Sequence, residues 1–333
     1  MINQNIFTKN KLVPRSPRDG FGQGLLEVGR VNPDLVVLTA DLAESTRAIY
    51  FAKEFPQRFF ECGVAEQGMV TLASGLASYG KIPVACSFSA FSPGRTWEQI
   101  RTTIALNDVP VVIAGLFVGV SVGPDGATHQ MLEDISLMRS MPNMIVLSAA
   151  DYYSGVKMVE LAVGLRKPVY LRVPRVELPE IYTQEAEFGL GGSNVVWQDN
   201  DAEVVILAHG TMVYDSLLAA KLLNKKSKAV TVIDCYSLKP LDVKTVLAHC
   251  ESAGCVVVAE EHQMVGGLYS AVSELFSANT PLPVESVAVF DSFGQSGQPR
   301  ELMDHYGLNA ENIYKKAIRV INRRKELLQK SIK

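Results

Sequence analysis

The chain has 333 residues, of which 47% are hydrophobic and 20% are charged, and its 32 basic and 35 acidic residues give a net charge of −3. This is the composition of an ordinary globular protein, and the length predicts two domains that could each bury a full core. The near-balanced charge argues against a general nucleic-acid binder, because such binding depends on clustered positive charge. One local basic pocket remains compatible with it.

Neither a membrane protein nor a secreted protein is predicted. The longest apolar run, residues 109–122, is too short to span a bilayer and is interrupted by a proline and two glycines. The five cysteines, at positions 62, 86, 235, 250 and 255, form no C-x-x-C pair. Such usage is typical of reduced thiols, with neither a disulfide framework nor a zinc site. We therefore expect a cytoplasmic protein with no metal ligands of its own.

In chain order, short apolar segments alternate with segments of helical period, which is the pattern of a parallel α/β fold. The first half predicts strands at Leu35–Thr39, 83–86, 111–116, Ile145–Ser148 and 169–172, and helices at 63–79, 96–106 and 152–165. Residues 176–194 lose the apolar period, so we interpret them as a linker that divides the chain near residue 185. The second half predicts strands at Val204–Ala208, Val230–Asp234, 255–259 and Val284–Val289, and helices at 213–223, 243–250, 266–276 and 309–328. The sequence therefore predicts two α/β domains, each built on a parallel or mainly parallel sheet.

Ligands of open α/β sheets bind beyond the carboxyl ends of the strands, so residues at those points are candidates for a site. Behind the predicted strands of the first half lie Asp41, Ser45, Phe88, Phe91, Asp125, His129 and Arg175. The loop VGPDGATHQ at 122–130 is the most unusual of these stretches. Asp125 and His129 could hydrogen-bond the hydroxyl groups of a polyhydroxylated ligand, or they could be ordinary turn and capping residues.

Three further features bear on chemistry. Glu66 stands near the predicted start of a helix, either as a carboxylate stabilised by the helix dipole or as a buried acid that exchanges a proton near neutral pH. Phe88 and Phe91, in the segment SFSAF, are either core residues or a pocket wall. The guanidinium fork matches a phosphate or sulfonate, and the candidate anion binders are Arg18, Arg172 and Arg175.

Five ordered blocks of the sequence resemble the C-terminal half of the transketolase family: VVLTADLAEST (36–46), FPQRFFECGVAEQGM (55–69), GKIPVACSFSAF (80–91), VGPDGATHQMLEDISLMRSMPN (122–143) and PVYLRVPR (168–175). The resemblance extends from about residue 15 to 325. It implies a thiamine diphosphate pyrimidine-binding domain at 15–180 and a transketolase C-terminal domain at 195–333.

The resemblance also implies a partner. The family holds thiamine diphosphate between two domains, and its diphosphate-binding domain carries a GDG signature that is absent from this sequence. The chain therefore resembles the C-terminal subunit of a split transketolase, active only with an N-terminal partner subunit. That partner would bind the diphosphate through a divalent metal, expected to be Mg²⁺, and the cofactor would be shared between the two subunits.

Individual residues acquire roles by the same resemblance. Glu66 would be the catalytic residue, because the family's glutamate at this place hydrogen-bonds the aminopyrimidine ring and activates the cofactor. The cofactor-binding residues would be Asp41, Glu66, Phe88 and Phe91. The residues that bind the substrate hydroxyl groups would be Asp125 and His129. The residues that grip the substrate phosphate would be Arg18, Ser45 and Arg175.

Two positions depart from the family pattern. The third aromatic residue of the family's pyrimidine pocket falls on Gly94, so that wall is open or filled from elsewhere, with Trp97 as one candidate. A substrate-binding histidine of the family falls on Phe117. The loss of that donor favours a modified sugar, such as a branched, deoxy or sulfonated ketose, as an alternative to ordinary pentose phosphates.

The leading hypothesis is a transketolase subunit that helps transfer a two-carbon ketol unit reversibly from a ketose phosphate to an aldose phosphate. Since the family's sites lie at dimer contacts, we expect self-association and an α2β2 heterotetramer. The alternatives are the β-type subunit of a 2-oxoacid dehydrogenase and a non-catalytic regulatory subunit. The DGATHQ block and the arginines favour the transketolase, because 2-oxoacid enzymes need no grip on a sugar phosphate.

Overall fold

The computed structural model describes residues 2–3, 5–7 and 14–331. Its strands are β1 (Leu35–Thr39), β2 (Phe59–Glu61), β3 (Ile82–Phe88), β4 (Val112–Leu116), β5 (Ile145–Ser148), β6 (Val169–Val173), β7 (Asn194–Gln198), β8 (Val204–Ala208), β9 (Val230–Asp234), β10 (Ser237–Lys239), β11 (Val256–Gln263) and β12 (Val284–Val289). Its helices are α1 (Pro17–Val31), α2 (Ala43–Thr46), α3 (Ile49–Glu54), α4 (Glu66–Ser78), α5 (Trp97–Gln99, continued by a π-helical stretch at Ile100–Ala105), α6 (Asp134–Arg139), α7 (Tyr152–Gly164), α8 (Met212–Asn224), α9 (Val243–Ala253), α10 (Leu268–Ala278), α11 (Pro299–His305) and α12 (Ala310–Ser331).

These strands form two sheets. The first has the order β10-β5-β6-β4-β3-β1-β2, and its strand pairs are parallel except for the one between β10 and β5. The second has the order β12-β11-β8-β9-β7, and only β7 among its described strands runs antiparallel. The central strands are predominantly apolar and fully buried, as expected where helices cover both faces of a sheet. The predicted α/β fold with two mainly parallel sheets is confirmed.

One strand crosses between the two halves of the chain. β10 follows β9 of the second sheet, yet it pairs with β5 of the first sheet, where Ser237 lies opposite Leu147. The sequence predicted none of the three short edge strands β2, β7 and β10. The first sheet is therefore completed by residues from the second half.

Helix α1 was not predicted, and it begins at a well-formed cap. The hydroxyl of Ser16 accepts a hydrogen bond from the backbone N–H of Arg18, and Pro17 occupies the first helical turn. The helix packs on α7 so closely that a Cβ atom at Gly20 would lie 2.0 Å from the carbonyl oxygen of Tyr152. The glycines near residue 20 thus permit close helix packing, and the cap fixes Arg18 at the start of α1.

The predicted linker is anchored against the first half of the chain. The buried carboxylate of Asp151 accepts hydrogen bonds of 2.8 Å from the backbone N–H groups of both Ile181 and Tyr182. Both of these side chains are buried. The connection between the two sheets is therefore a fixed part of the fold. No helix in the described part of the chain is both long enough and apolar enough to cross a membrane.

Candidate active site

Four parallel strands of the first sheet end at the same edge and bring the candidate residues there. Asp41 and Ser45 follow β1, Phe88 is the last residue of β3, Phe117 follows β4, and Arg175 follows β6. This is the edge at which α/β sheets bind their ligands.

Glu66 is the first residue of α4 and is only 2% exposed. Its Oε2 accepts a hydrogen bond of 2.9 Å from Nη1 of Arg95, whose side chain is half exposed. The helix N-terminus favours a carboxylate at Glu66, and burial removes that carboxylate from water. A role of Glu66 in proton exchange stays a prediction. Arg95 was not recognised from the sequence.

Aromatic side chains form a wall next to Glu66. The rings of Phe88 and Phe117 stack with centroids 3.9 Å apart, and Phe91 lies 6.0 Å from Phe88. His129 packs edge-on against Phe91 at 5.2 Å, and the Arg95 guanidinium lies over the Phe91 ring at 4.9 Å. Phe91 is half-buried at the surface of this cluster. The structure thus brings Phe88, Phe91 and His129 together, with Arg95 linking them to Glu66.

The open position at Gly94 has a steric cause. A Cβ atom at Gly94 would lie 2.3 Å from the carbonyl oxygen of Ala90, so no aromatic side chain fits on this backbone. Trp97 does not replace it, because its indole N–H donates to the carbonyl of Leu137 and its ring packs on the core. The side chain that lies beside Phe91 is that of Arg95, so the suggestion of Trp97 was wrong.

Two arginines lie next to the ring of Phe117. The guanidinium carbon of Arg18 is 5.5 Å from the centre of the Phe117 ring, and that of Arg175 is 4.8 Å from it. Arg18 Nη1 donates to the main-chain carbonyl of Ser45 at 3.1 Å. Arg175 Nη1 donates at 3.0 Å to the Asp125 carboxylate. The predicted phosphate grip and Asp125 are therefore neighbours around one aromatic ring.

This arginine pair retains capacity to bind an anion. Arg18 Nε is buried without a hydrogen-bond partner among the described residues. Burial and the charges of Arg47 and Arg175 lower the pKa of Arg18. An anion between Arg18 and Arg175 would relieve the repulsion between them and satisfy the free donor.

Arg172, in contrast, is not an anion-binding residue. It is fully buried in β6, and its Nε donates to Oδ2 of Asp134 at 2.7 Å. Its Nη2 donates to the main-chain carbonyl of Glu261 in the second sheet. The interpretation of Arg172 as a candidate anion binder was therefore wrong, because its charge is already paired in the interior.

Comparison with known proteins agrees with this arrangement. The profile for the transketolase pyrimidine binding domain matches residues 14–180, and that for the transketolase C-terminal domain matches residues 193–313. This chain belongs to the transketolase family. A protein of Methanocaldococcus jannaschii described as a transketolase C-terminal section is 39% identical over 91% of this chain and 96% of its own length.

Other members of the transketolase family differ in named substrate and in length. An apulose-4-phosphate transketolase subunit of Phocaeicola vulgatus is 36% identical over 92% of this chain and 97% of its own length. Human transketolase is 33% identical, and the chain spans only 47% of its length. A solved structure described as a split-gene transketolase, inactive β4 tetramer, matches with a TM-score of 0.86 at 40% identity, covering 92% of this chain and 98% of that one.

Asp41 makes none of the contacts described above among Glu66, Arg95, the aromatic rings and the arginine pair. It is exposed just after β1 with φ of 60°, and its backbone N–H donates at 2.7 Å to Glu61 Oε1. Its role in cofactor binding stays a prediction. Over the described ranges, no group of three or more His, Cys, Asp or Glu side chains is placed to hold a metal ion.

Proposed function

We propose that this chain is the C-terminal subunit of a thiamine-diphosphate-dependent transketolase that transfers a two-carbon ketol unit from a ketose phosphate to an aldose phosphate. The observation that carries the proposal is one continuous set of contacts at the sheet edge. It runs from the buried carboxylate of Glu66 through Arg95 and Phe91 to the arginine pair around Phe117. Cofactor activation and phosphate binding would occur at its two ends.

The residues present suit the pyrimidine half of thiamine diphosphate. Only one oxygen of Glu66 accepts a hydrogen bond from the described side chains, so the other is free to meet a ring nitrogen. Phe88 and Phe91 would cover the ring, and Asp41 would contact the cofactor at the dimer interface. The cofactor, when bound, supplies the carbanion-stabilising chemistry, while Glu66 orients it and holds a proton at the ring nitrogen.

The other side chains would bind the sugar. Asp125 and His129 would accept and donate hydrogen bonds at its hydroxyl groups, and Arg18, Arg175 and the Ser45 region would hold the phosphate. Phe117 puts an apolar ring beside both arginines. This favours, as a second candidate, a substrate with a modified carbon chain or anionic group. Relatives named for apulose 4-phosphate and for 6-deoxy-6-sulfo-D-fructose support that candidate.

The assembly would be an α2β2 heterotetramer in the cytoplasm. An N-terminal partner subunit would provide the diphosphate-binding domain and Mg²⁺, and we propose the domain limits 15–180 and 195–333 for this chain. The described residues of α4 and of its two ends expose apolar side chains, namely Val64 before the helix, Leu72 within it and Tyr79 after it. Such a surface suits the self-association that we propose.

The experiment is to isolate the native complex from its own cells and measure its mass, its bound cofactor and ketol transfer from a panel of donors. The panel contains ordinary ketose phosphates, a branched ketose phosphate and a sulfonated ketose. A partner chain of similar size with bound thiamine diphosphate and transfer to an aldose acceptor supports the proposal. A homo-oligomer without cofactor would refute it in favour of a non-catalytic subunit, and decarboxylation of pyruvate without any aldose would favour a 2-oxoacid enzyme.

A further inference from the structure

The loop after β4, residues 117–131, carries Asp125 and His129 and rests on the second half of the chain. Gln130 Nε2 donates at 2.9 Å to the carbonyl of Gln295. A Cβ atom at Gly126 would lie 2.6 Å from Ser296 Oγ. This part of the site is therefore shaped by residues far from it in sequence.

The deepest of these contacts comes from Glu261, near the end of β11 in the second sheet. Its side chain is fully buried. Its Oε1 accepts a hydrogen bond of 2.6 Å from the backbone N–H of Ser121, and its Oε2 accepts bonds from the hydroxyls of Ser121 (3.1 Å) and Thr211 (2.7 Å). Burial raises the pKa of Glu261, while Arg172 and the hydrogen bonds from Thr211 and Ser121 oppose that rise. Two of these three donors belong to Ser121, so the carboxylate ties the loop to β11 of the second sheet.

Gly119 shows how closely the carboxylate approaches the loop. A Cβ atom at this position would lie 2.2 Å from the carboxyl carbon of Glu261, and the backbone there has φ of 75°. Only glycine adopts this conformation without strain and leaves room for the carboxylate. The loop and Glu261 are therefore fitted to each other.

Val122 connects the Glu261–Ser121 contact to the residues proposed to bind the substrate. Val122, next to Ser121, offers its carbonyl oxygen to Arg175 Nη1 at 3.0 Å. The same nitrogen of Arg175 donates to Asp125 at 3.0 Å. A displacement of the Ser121 backbone would move the acceptor that orients Arg175, and with it the Arg175–Asp125 pair.

We propose that Glu261 is a positioning residue for substrate binding, through which the second domain fixes the loop that carries Asp125. The proposal rests on the proposed function, because it takes Arg175 and Asp125 as substrate ligands. Among the described residues, the Glu261 carboxylate accepts hydrogen bonds from Ser121 and Thr211, and it has none with Glu66. Its loss should weaken sugar-phosphate binding and leave cofactor binding and turnover nearly unchanged.

The test compares Glu261→Ala with a matched control, Glu260→Ala. Glu260 is the preceding residue of β11 and is equally buried, but its carboxylate accepts the backbone N–H groups of Leu268 and Tyr269 at the start of α10. In the complex with the partner subunit, Glu261→Ala should raise KM for the sugar phosphate about tenfold, with kcat and the Kd of thiamine diphosphate within about twofold. Glu260→Ala should leave KM unchanged. Equal KM values for the two variants would overturn the proposal.

A conservative variant separates positioning from charge. In Glu261→Gln the amide oxygen still accepts from the Ser121 N–H, and the amide NH₂ donates to the Ser121 and Thr211 hydroxyls, which can turn to accept. It should therefore retain a KM close to that of the wild type, and a KM as high as that of Glu261→Ala would contradict the positioning role.

Hydrogen exchange on the purified chain tests the same contact without any catalytic assay. Exchange across residues 117–131 should be faster in Glu261→Ala than in Glu260→Ala, and equal exchange would overturn the proposal. If the wild-type complex transferred no ketol unit, the proposed function would fail, while the exchange comparison would still decide whether Glu261 holds the loop.

Discussion

Asp234, the last residue of β9, makes the stability of this chain depend on pH. Its side chain is fully buried, and one oxygen accepts a 2.6 Å hydrogen bond from the hydroxyl of Tyr182 in the connecting segment. Burial raises the pKa of Asp234 to about 8; the bond from Tyr182 opposes this rise, and the nearby Asp151 adds to it. At neutral pH the folded chain therefore keeps a proton that the unfolded chain, with an aspartate pKa of about 3.9, has released.

The sign of the effect follows from that extra proton. Because the folded state binds more protons than the unfolded state between the two pKa values, raising the pH lowers the free energy of unfolding. Each pH unit with a difference of one proton is worth about 1.4 kcal/mol. With a folded pKa of about 8, this side chain alone should cost about 3–4 kcal/mol between about pH 5 and pH 8. Above the folded pKa the loss should level off.

The assay is urea unfolding of the wild type and Asp234→Asn over this pH range. Asparagine keeps a carbonyl oxygen for the Tyr182 hydroxyl but does not titrate, so the wild type should lose about 3–4 kcal/mol relative to the variant as the pH rises from about 5 to 8. Tyr182→Phe removes the hydrogen bond that lowers the pKa of Asp234, so the free energy of unfolding of this variant should continue to fall up to a higher pH. Parallel stability curves for wild type and Asp234→Asn would refute the reasoning.

Three other predictions concern the site and its support. Glu66→Gln keeps its shape but cannot exchange the proton, so ketol transfer by the complex should fall about 100- to 10,000-fold, and an unchanged rate would remove Glu66 from catalysis. Arg95→Met removes the ion pair with Glu66 but keeps an apolar side chain over Phe91. Calorimetry should therefore show the Kd of thiamine diphosphate rising about threefold to fivefold. An unchanged Kd would mean that Arg95 does not orient Glu66. Arg172→Met leaves the buried Asp134 carboxylate without its charged partner, so urea unfolding should show a free energy of unfolding lower by about 3–5 kcal/mol. The double variant Arg172→Met/Asp134→Leu should regain most of that free energy. A double variant as unstable as the single one would mean that the loss comes from packing and not from charge.

The central strands and the position of the site could be predicted from the sequence. Buried parallel strands need continuous apolar segments, which are visible without any structure, and parallel strands must place their following residues at one edge. Phe88 and Arg175 were found in this way, whereas Glu66 was found from its place at the start of a predicted helix and from the family resemblance. The short strand β10 could not be found, because three residues carry no period and its partner β5 lies about 90 positions earlier.

The sequence could not predict which polar side chains pair with each other. Arg172 was taken for an anion binder because its pairing with Asp134 joins residues 38 positions apart. Glu261 had no visible role, since Ser121 lies 140 positions and Thr211 lies 50 positions away. Arg95 follows a glycine where an aromatic residue was expected, and only the packing shows that its side chain covers Phe91. In each case the residue type indicates what the side chain can bind, whereas only the fold shows which group it binds.

The crossing of β10 into the first sheet has a consequence for dissecting the molecule. A chain cut near residue 185 would contain all the candidate site residues, yet it would lack the strand that covers the outer edge of β5. The uncovered N–H and C=O groups of that edge would be free to pair with the same edge of another molecule. The first half alone should therefore precipitate or associate through β5, so the two halves have to be expressed as one chain to give a soluble first sheet.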